Sequence, residues 1–211
     1  MKVIDLTHPL QPGMPVYPED TPPRFPRPCT YETYGFSVTA LDMGVHTGTH
    51  MDAPYHMLQE GPTIDWFQAE YFVGKAMVVD LTEAGQLITP EHLSSLTKTN
   101  DLDFVLLRTG WDRHWGNDQY YRDWPELSVL AARFLTGLDL RGVGMDSPSP
   151  DPLETHDYEA HMALFRAGMV CIENLTNLEL LPREPFTFSC LPLPIRGSDG
   201  SPCRAVAMLG I

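Results

Sequence analysis

Positive charge is scarce in this chain of 211 residues, with 14 Lys and Arg against 28 Asp and Glu and a formal net charge of −14. A surface of that sign repels phosphate backbones and anionic headgroups, which argues against nucleic acid or a membrane as partner. Long apolar runs are missing too. No stretch reaches the length of a membrane span, and the opening Met1-Lys2-Val3-Ile4-Asp5 has no extended apolar segment of the kind a secretory leader carries, so a cytoplasmic protein is expected. Cysteine is sparse. Cys29, Cys171, Cys190 and Cys203 are widely scattered and form no Cys-x-x-Cys pair, which favours free thiols in a reducing compartment over a disulfide framework.

Proline, by contrast, is concentrated. Pro9, Pro12, Pro15, Pro18, Pro22, Pro23, Pro26 and Pro28 exclude helix and central strand between them and predict an extended arm wrapped over the surface. Tyr17 and Phe25 on that arm either pack down or help to wall a pocket. Beyond a first strand at residues 3–6, strands are expected at 36–43, 76–81, 104–108, 140–145, 169–172, 186–195 and 204–209. The continuous apolar runs at 76–81 and 104–108 suggest strands buried on both faces. Thr89-Pro90-Glu91 opens a short helix, and Leu127, Leu130, Ala131, Phe134, Leu135 and Leu138 share one face of a second. A third runs from a Thr155 cap through Ala167, with Gly168 as its C-cap. Strands and helices mix without strict alternation, repeat or linker. One α/β domain over residues 1–211 is expected, with a mixed sheet or barrel.

The chemistry gathers in His46-Thr47-Gly48-Thr49-His50-Met51-Asp52-Ala53-Pro54-Tyr55-His56, three imidazoles and a carboxylate within eleven residues. Its glycine and proline suit a loop, and its side chains are ligands for zinc, iron, nickel or manganese. A metal cradle is the first reading, with Gly48 letting the backbone turn tightly enough for His46 and His50 to face one point. A structural hydrogen-bond network is the alternative. No Cys lies in the loop, which disfavours a Cys-type zinc site.

Two later polar residues stand in apolar company, His161 inside the third helix and Glu173 in Val170-Cys171-Ile172-Glu173-Asn174-Leu175. A buried, ionised Glu is costly without a cation or metal, although each residue read singly also fits a structural role. Trp66, Phe67, Tyr71 and Phe72 form an aromatic patch, and Trp111, His114 and Trp115 follow the strand at 104–108. Packing explains both groups, and a wall for a flat substrate is the other reading. Tyr17, Trp66 and Trp111 are the candidates for holding an aryl ring.

These residues resemble the cyclase family of metal-dependent hydrolases, which includes bacterial kynurenine formamidase and isatin hydrolase. The loop matches the family pattern His-x-Gly-Thr-His-x-Asp-x-Pro-x-His at every fixed position. The resemblance extends to His161 and Glu173, to the Pro-Gly-Met-Pro-Val-Tyr-Pro arm at residues 12–18, and to Asp199, Gly200, Pro202 and Arg204. One departure is Tyr17-Pro18-Glu19-Asp20, where the family enzyme usually has Trp-Pro-Gly-Asp; it bears on the substrate more than on the chemistry. The resemblance implies a swivelling β/β/α fold with a barrel-like core and flanking helices, a homodimer or higher homo-oligomer, and zinc as one or two ions, with manganese as the alternative. It also implies His46, His50, Asp52, His161 and Glu173 as metal ligands, the two acids bridging, and His56 as the proton-transfer group.

The activity so implied is hydrolysis of a small aryl formamide by metal-activated water, with N-formylkynurenine to kynurenine plus formate as the leading case. His56, whose ordinary pKa lies near ~6.5, suits both the uptake and the return of a proton. A cyclic amide such as isatin is the alternative substrate. A lyase or cyclase using the same ion to move a proton on carbon is a competing reaction, and a metal-binding protein without catalysis is a competing class. The presence of His56 beyond the ligand set speaks against the last.

Overall fold

The apolar runs in the middle of the chain become the parallel half of a closed sheet. The structure, a computed structural model, describes residues 1–210. Its elements in chain order are β1 (Lys2–Asp5), α1 (Tyr31–Tyr34), β2 (His50–Asp52), β3 (Val73–Asp80), β4 (Leu87–Ile88), β5 (Phe104–Arg108), β6 (Glu126–Leu127), α2 (Val129–Thr136), β7 (Gly142–Met145), α3 (Glu159–Arg166), β8 (Val170–Glu173), β9 (Phe186–Pro192) and β10 (Gly200–Leu209). Strands β3, β5, β7 and β8 lie side by side and parallel. Parallel neighbours require crossovers, which the 3-10 helix Pro90–Lys98, α2 and α3 supply in turn. From β8 the sheet continues antiparallel through β2, β10 and β9 and returns to β3, closing a ring of seven strands, while β1 pairs with the far end of β10. Closure leaves these strands no free edge. The expected α/β architecture, a barrel-like core with flanking helices, is present.

The pleat of these strands separates two apolar layers. Phe104, Leu106, Val170 and Ile172 fill the barrel, whereas Val105, Leu107, Val143 and Met145 face out to meet Leu135 of α2 and Leu164 of α3. Both faces of β5 are therefore buried, as its unbroken apolar run requires. β7 contributes Gly142 and Gly144 to the inside. A Cβ on Gly144 would lie 2.7 Å from both Leu106 and Leu175, so its absence makes room for the larger neighbours.

Residues 36–43 depart from expectation. They form no strand, and only Val38 and Asp42 bridge back to Cys29 and Arg24 on the arm. Ala40 N–H donates to Pro26 O, but Pro26 has no N–H to return, so the ladder cannot propagate. Helix α2 is shorter than predicted, because the Ser128 side chain caps Ala131 N–H and Leu127 joins β6. Its buried stripe runs through Ala131, Ala132 and Leu135, which leaves Leu130 60% exposed. Helix α3 does not start at a Thr155 cap. Tyr158 adopts a left-handed φ of 44°, and Asp151 reaches in to accept the N–H groups of Ala160 and His161. Gly168, at φ 78°, does follow the end of the helix.

Candidate metal centre

The loop reading of residues 46–56 needs correction for its middle. His50–Asp52 is strand β2, held between β8 and β10, while residues 45–49 turn before it and Pro54–His56 form a 3-10 turn after it. Alternation along a strand puts His50 and Asp52 on one face while Met51 enters the barrel. The register with β8 sets His50 directly opposite Glu173. Gly48 turns with φ 70°, and a Cβ there would meet Met14 at 2.9 Å. His161 arrives from α3, the helix that leads into β8.

These five side chains converge. His46, His50 and Asp52 present ligand atoms within 4.8 Å of one another, and so do Asp52, His161 and Glu173. Asp52 Oδ1 lies 2.7 Å from His46 Nδ1 and 3.2 Å from His50 Nε2, while its Oδ2 lies 3.7 Å from His161 Nε2. Glu173 spans the same gap, with Oε2 3.4 Å from His50 Nε2 and Oε1 3.3 Å from His161 Nε2. Each carboxylate thus offers one oxygen to each group of imidazoles.

The far nitrogen of each imidazole is already engaged. His50 Nδ1 lies 2.8 Å from Gly48 O, His161 Nδ1 2.7 Å from Asp151 Oδ2, and His46 Nε2 2.8 Å from Asp199 Oδ2. Partners of this kind fix the tautomer and ring orientation of metal-binding histidines. The His50 anchor is itself braced, since Asn174 donates to Gly48 O and Tyr120 OH donates to Asn174 Oδ1. Asp151, Asn174, Tyr120 and Asp199 carry this support, and nothing in their local sequence marks them. The sequence places Asp199 in the Gly197-Ser198-Asp199-Gly200 turn, and only the family pattern draws attention to it.

Charge in the cradle is strongly coupled. Burial alone would depress the pKa of His50 and His161, but the neighbouring acids, Asp52 and Glu173 for both and Asp151 for His161, outweigh it and hold both well above the ordinary value. Burial would raise Asp52, yet His50 and His46 hold it well below the usual carboxylate range. His56 is different. Burial is the larger influence there and lowers its pKa despite Asp52 nearby. Its Nδ1 lies 3.3 Å from Asp199 Oδ2, and its ring stands 4.1 Å from that of His46.

The five side chains fit a divalent ion. His161 Nε2 and Glu173 Oε1 are buried without a hydrogen-bond partner among the described residues, an arrangement that is costly unless something else binds them. Imidazole and carboxylate are the donor set expected for zinc or manganese.

A cavity of about 240 Å³ opens onto these side chains. His56, Tyr17 and Asp20 line it, together with Tyr121 and Tyr158, which nothing in the sequence marked. Trp66 and Trp111 do not. Trp66 is 67% exposed beside Phe67, over a depression bordered by Arg141, because its 3-10 turn buries Ile64 instead. Trp111 is 9% exposed and donates through Nε1 to Tyr120 O, pinning its loop from within an aromatic cluster.

The family model for Cyclase matches residues 4–152. The kynurenine formamidase of Bacillus cereus is 32% identical over 204 residues, covering 96% of this chain and 95% of that protein. Isatin hydrolase A from Labrenzia aggregata, solved with benzyl benzoate, superposes with a TM-score of 0.90 at 29% identity, covering 98% of this chain and 93% of that one. A Bacillus stearothermophilus chain described as a predicted metal-dependent hydrolase superposes at 0.82 with 32% identity, covering 98% and 97%. With its histidine and carboxylate cradle and its closed barrel, the chain belongs to the Cyclase family.

Proposed function

We propose that the chain is a metal-dependent amidohydrolase acting on a small aryl formamide, with N-formylkynurenine as the leading substrate and kynurenine and formate as products. The observation that carries this reading is the sharing of Asp52 and Glu173 between two groups of imidazoles. His46, His50, Asp52 and Glu173 would hold one ion, and Asp52, His161 and Glu173 a second. Zinc is the favoured metal and manganese the alternative. The bound metal supplies an acidified water and polarises the carbonyl.

The protein's own groups do the rest. Asp199 accepts from His56 Nδ1 and leaves Nε2 as the nitrogen that exchanges protons. The lowered pKa of His56 keeps that nitrogen unprotonated near neutrality, ready to take a proton from the nucleophile and return it to the departing amine. A cavity smaller than the ~300–1,000 Å³ of drug-sized sites suits a one-ring substrate. It suits a cyclic amide equally, which with the likeness to isatin hydrolase supports ring-opening hydrolysis as the second reading. The enzyme is proposed to be a cytoplasmic homodimer. No helix among the described residues is long and apolar enough to cross a membrane.

The test is turnover of N-formylkynurenine and isatin by chelator-treated protein before and after addition of Zn²⁺ or Mn²⁺. Formamide cleavage that disappears with the metal and returns on its addition is expected. Full activity in metal-free protein would sink the reading, and turnover of isatin alone would select the second one.

A further inference from the structure

The outer part of the cavity carries chemistry that amide hydrolysis does not use. Tyr17 from the proline-rich arm, Tyr121 from the segment before β6 and Tyr158 at the start of α3 line it with Asp20. Tyr17 and Tyr121 meet edge to face with ring centroids 5.7 Å apart. Burial pushes the Tyr17 pKa up to about 12, helped by Tyr158, Glu173 and Asp20. Burial raises Tyr121 as well, with Glu173 and Asp20 adding to it. Both phenols stay neutral, and Asp20 is close enough for its charge to act on each. Its carboxylate is exposed and accepts no hydrogen bond among the described residues. No Lys or Arg lines the cavity.

Two of the seven non-glycine residues with positive φ among the described residues fall in the segments that line the mouth. Glu19, in the Tyr17–Asp20 turn closed by Asp20 N–H to Tyr17 O, sits at φ 76°, where a turn favours glycine. Tyr158 sits at φ 44°. A non-glycine residue in the left-handed region is disfavoured and persists where the surroundings demand it, often at ligand sites. Here both lie in segments that deliver side chains to the cavity mouth.

We propose that this mouth is a subsite for a cationic substituent, an alkylammonium carried by the aromatic substrate, held by the Asp20 carboxylate and the tyrosine faces. A ring face attracts a cation, and an unpartnered carboxylate gains an ion pair. A carboxylate in the same place meets a like charge and finds no protein cation, so the mouth selects against it. The inference deepens the amidohydrolase reading and rests on it for the reacting group. An amino-acid substrate would then turn its ammonium toward Asp20 and its carboxylate toward solvent.

Calorimetric titration of the zinc-loaded protein with 2-phenylethylamine and with 2-phenylethanol tests the subsite without turnover. The amine should bind about tenfold more tightly than the alcohol, and Asp20→Asn should bring the two affinities together. Asp20 is exposed on the arm, so this variant keeps the folded core. Equal binding of the two probes, binding of neither, or a preference that survives Asp20→Asn would overturn the proposal. A protein that prefers the amine but leaves N-formylkynurenine intact keeps the subsite and loses only the formamidase reading.

Discussion

The inner and outer halves of the cavity are built on opposite principles. Inside, each imidazole of the cradle is tied at its far nitrogen to Gly48, Asp151 or Asp199, and both acids are surrounded by the rings they serve. Outside, Tyr17, Asp20 and Tyr158 hang from segments with left-handed residues, and the Asp20 carboxylate accepts no hydrogen bond among the described residues. A ligand inside cannot be exchanged without stranding its neighbours in a buried site, whereas a residue at the mouth can change with little cost to the fold. Under the proposed function this division gives the type of reaction to the inner half and the choice of substrate to the outer one.

The comparison breaks most severely if Glu173→Gln is tolerated. Removing that charge should lower formamide turnover on the order of 10³-fold and strip most of the bound metal, read by steady-state kinetics and elemental analysis of folded protein. A smaller effect is expected one contact further out. Asp151→Ala unties His161 Nδ1 and uncaps α3, and chelator competition should show metal affinity reduced about 10- to 100-fold.

Proton concentration sharpens the contrast further. In metal-free protein the raised pKa values of His50 and His161 contribute stability that is complete below the unfolded value of 6.5 and lost as pH climbs through their folded values. The depressed pKa of Asp52 works at the other end, present above 3.8 and lost as pH falls through its folded value. The melting temperature of metal-free protein should therefore decline as pH rises above 6.5, and the gain on adding zinc should widen over the same range because the ion displaces those protons. A constant gain across that range would contradict the coupling. The smallest effect belongs to the mouth. Glu19→Gly relieves a left-handed residue and should change stability by no more than about 1 kcal/mol in urea melts, with metal content unaltered.

Legibility in the sequence followed distance along the chain. His46, His50, Asp52 and His56 could be read together because four donor side chains stand within eleven residues. His161 and Glu173 could be read only singly, and it was the family pattern that joined them to the loop. Asp199 could be read only through the family pattern because its contact with His46 spans 153 residues, and Asp151 escaped because its role is to hold another side chain. Trp66 and Trp111 were plausible ring holders as aromatics near strand ends, yet one faces solvent and the other is locked by Tyr120. The expected strand at 36–43 failed for a reason spread over two segments, since its partner carries Pro26 where a donor is needed.

Residue order alone settled which donor atoms the protein owns and that the arm could form neither helix nor inner strand, because those are properties of side chains and of proline itself. The meeting of donors from β2, α3 and β8 belongs to the folded molecule. It depends on strand register, which sets His50 against Glu173, and on barrel closure, which brings Asp199 to His46 and His56. Hydrogen-bond ladders enforce both, and they exist only once residues more than a hundred positions apart have paired.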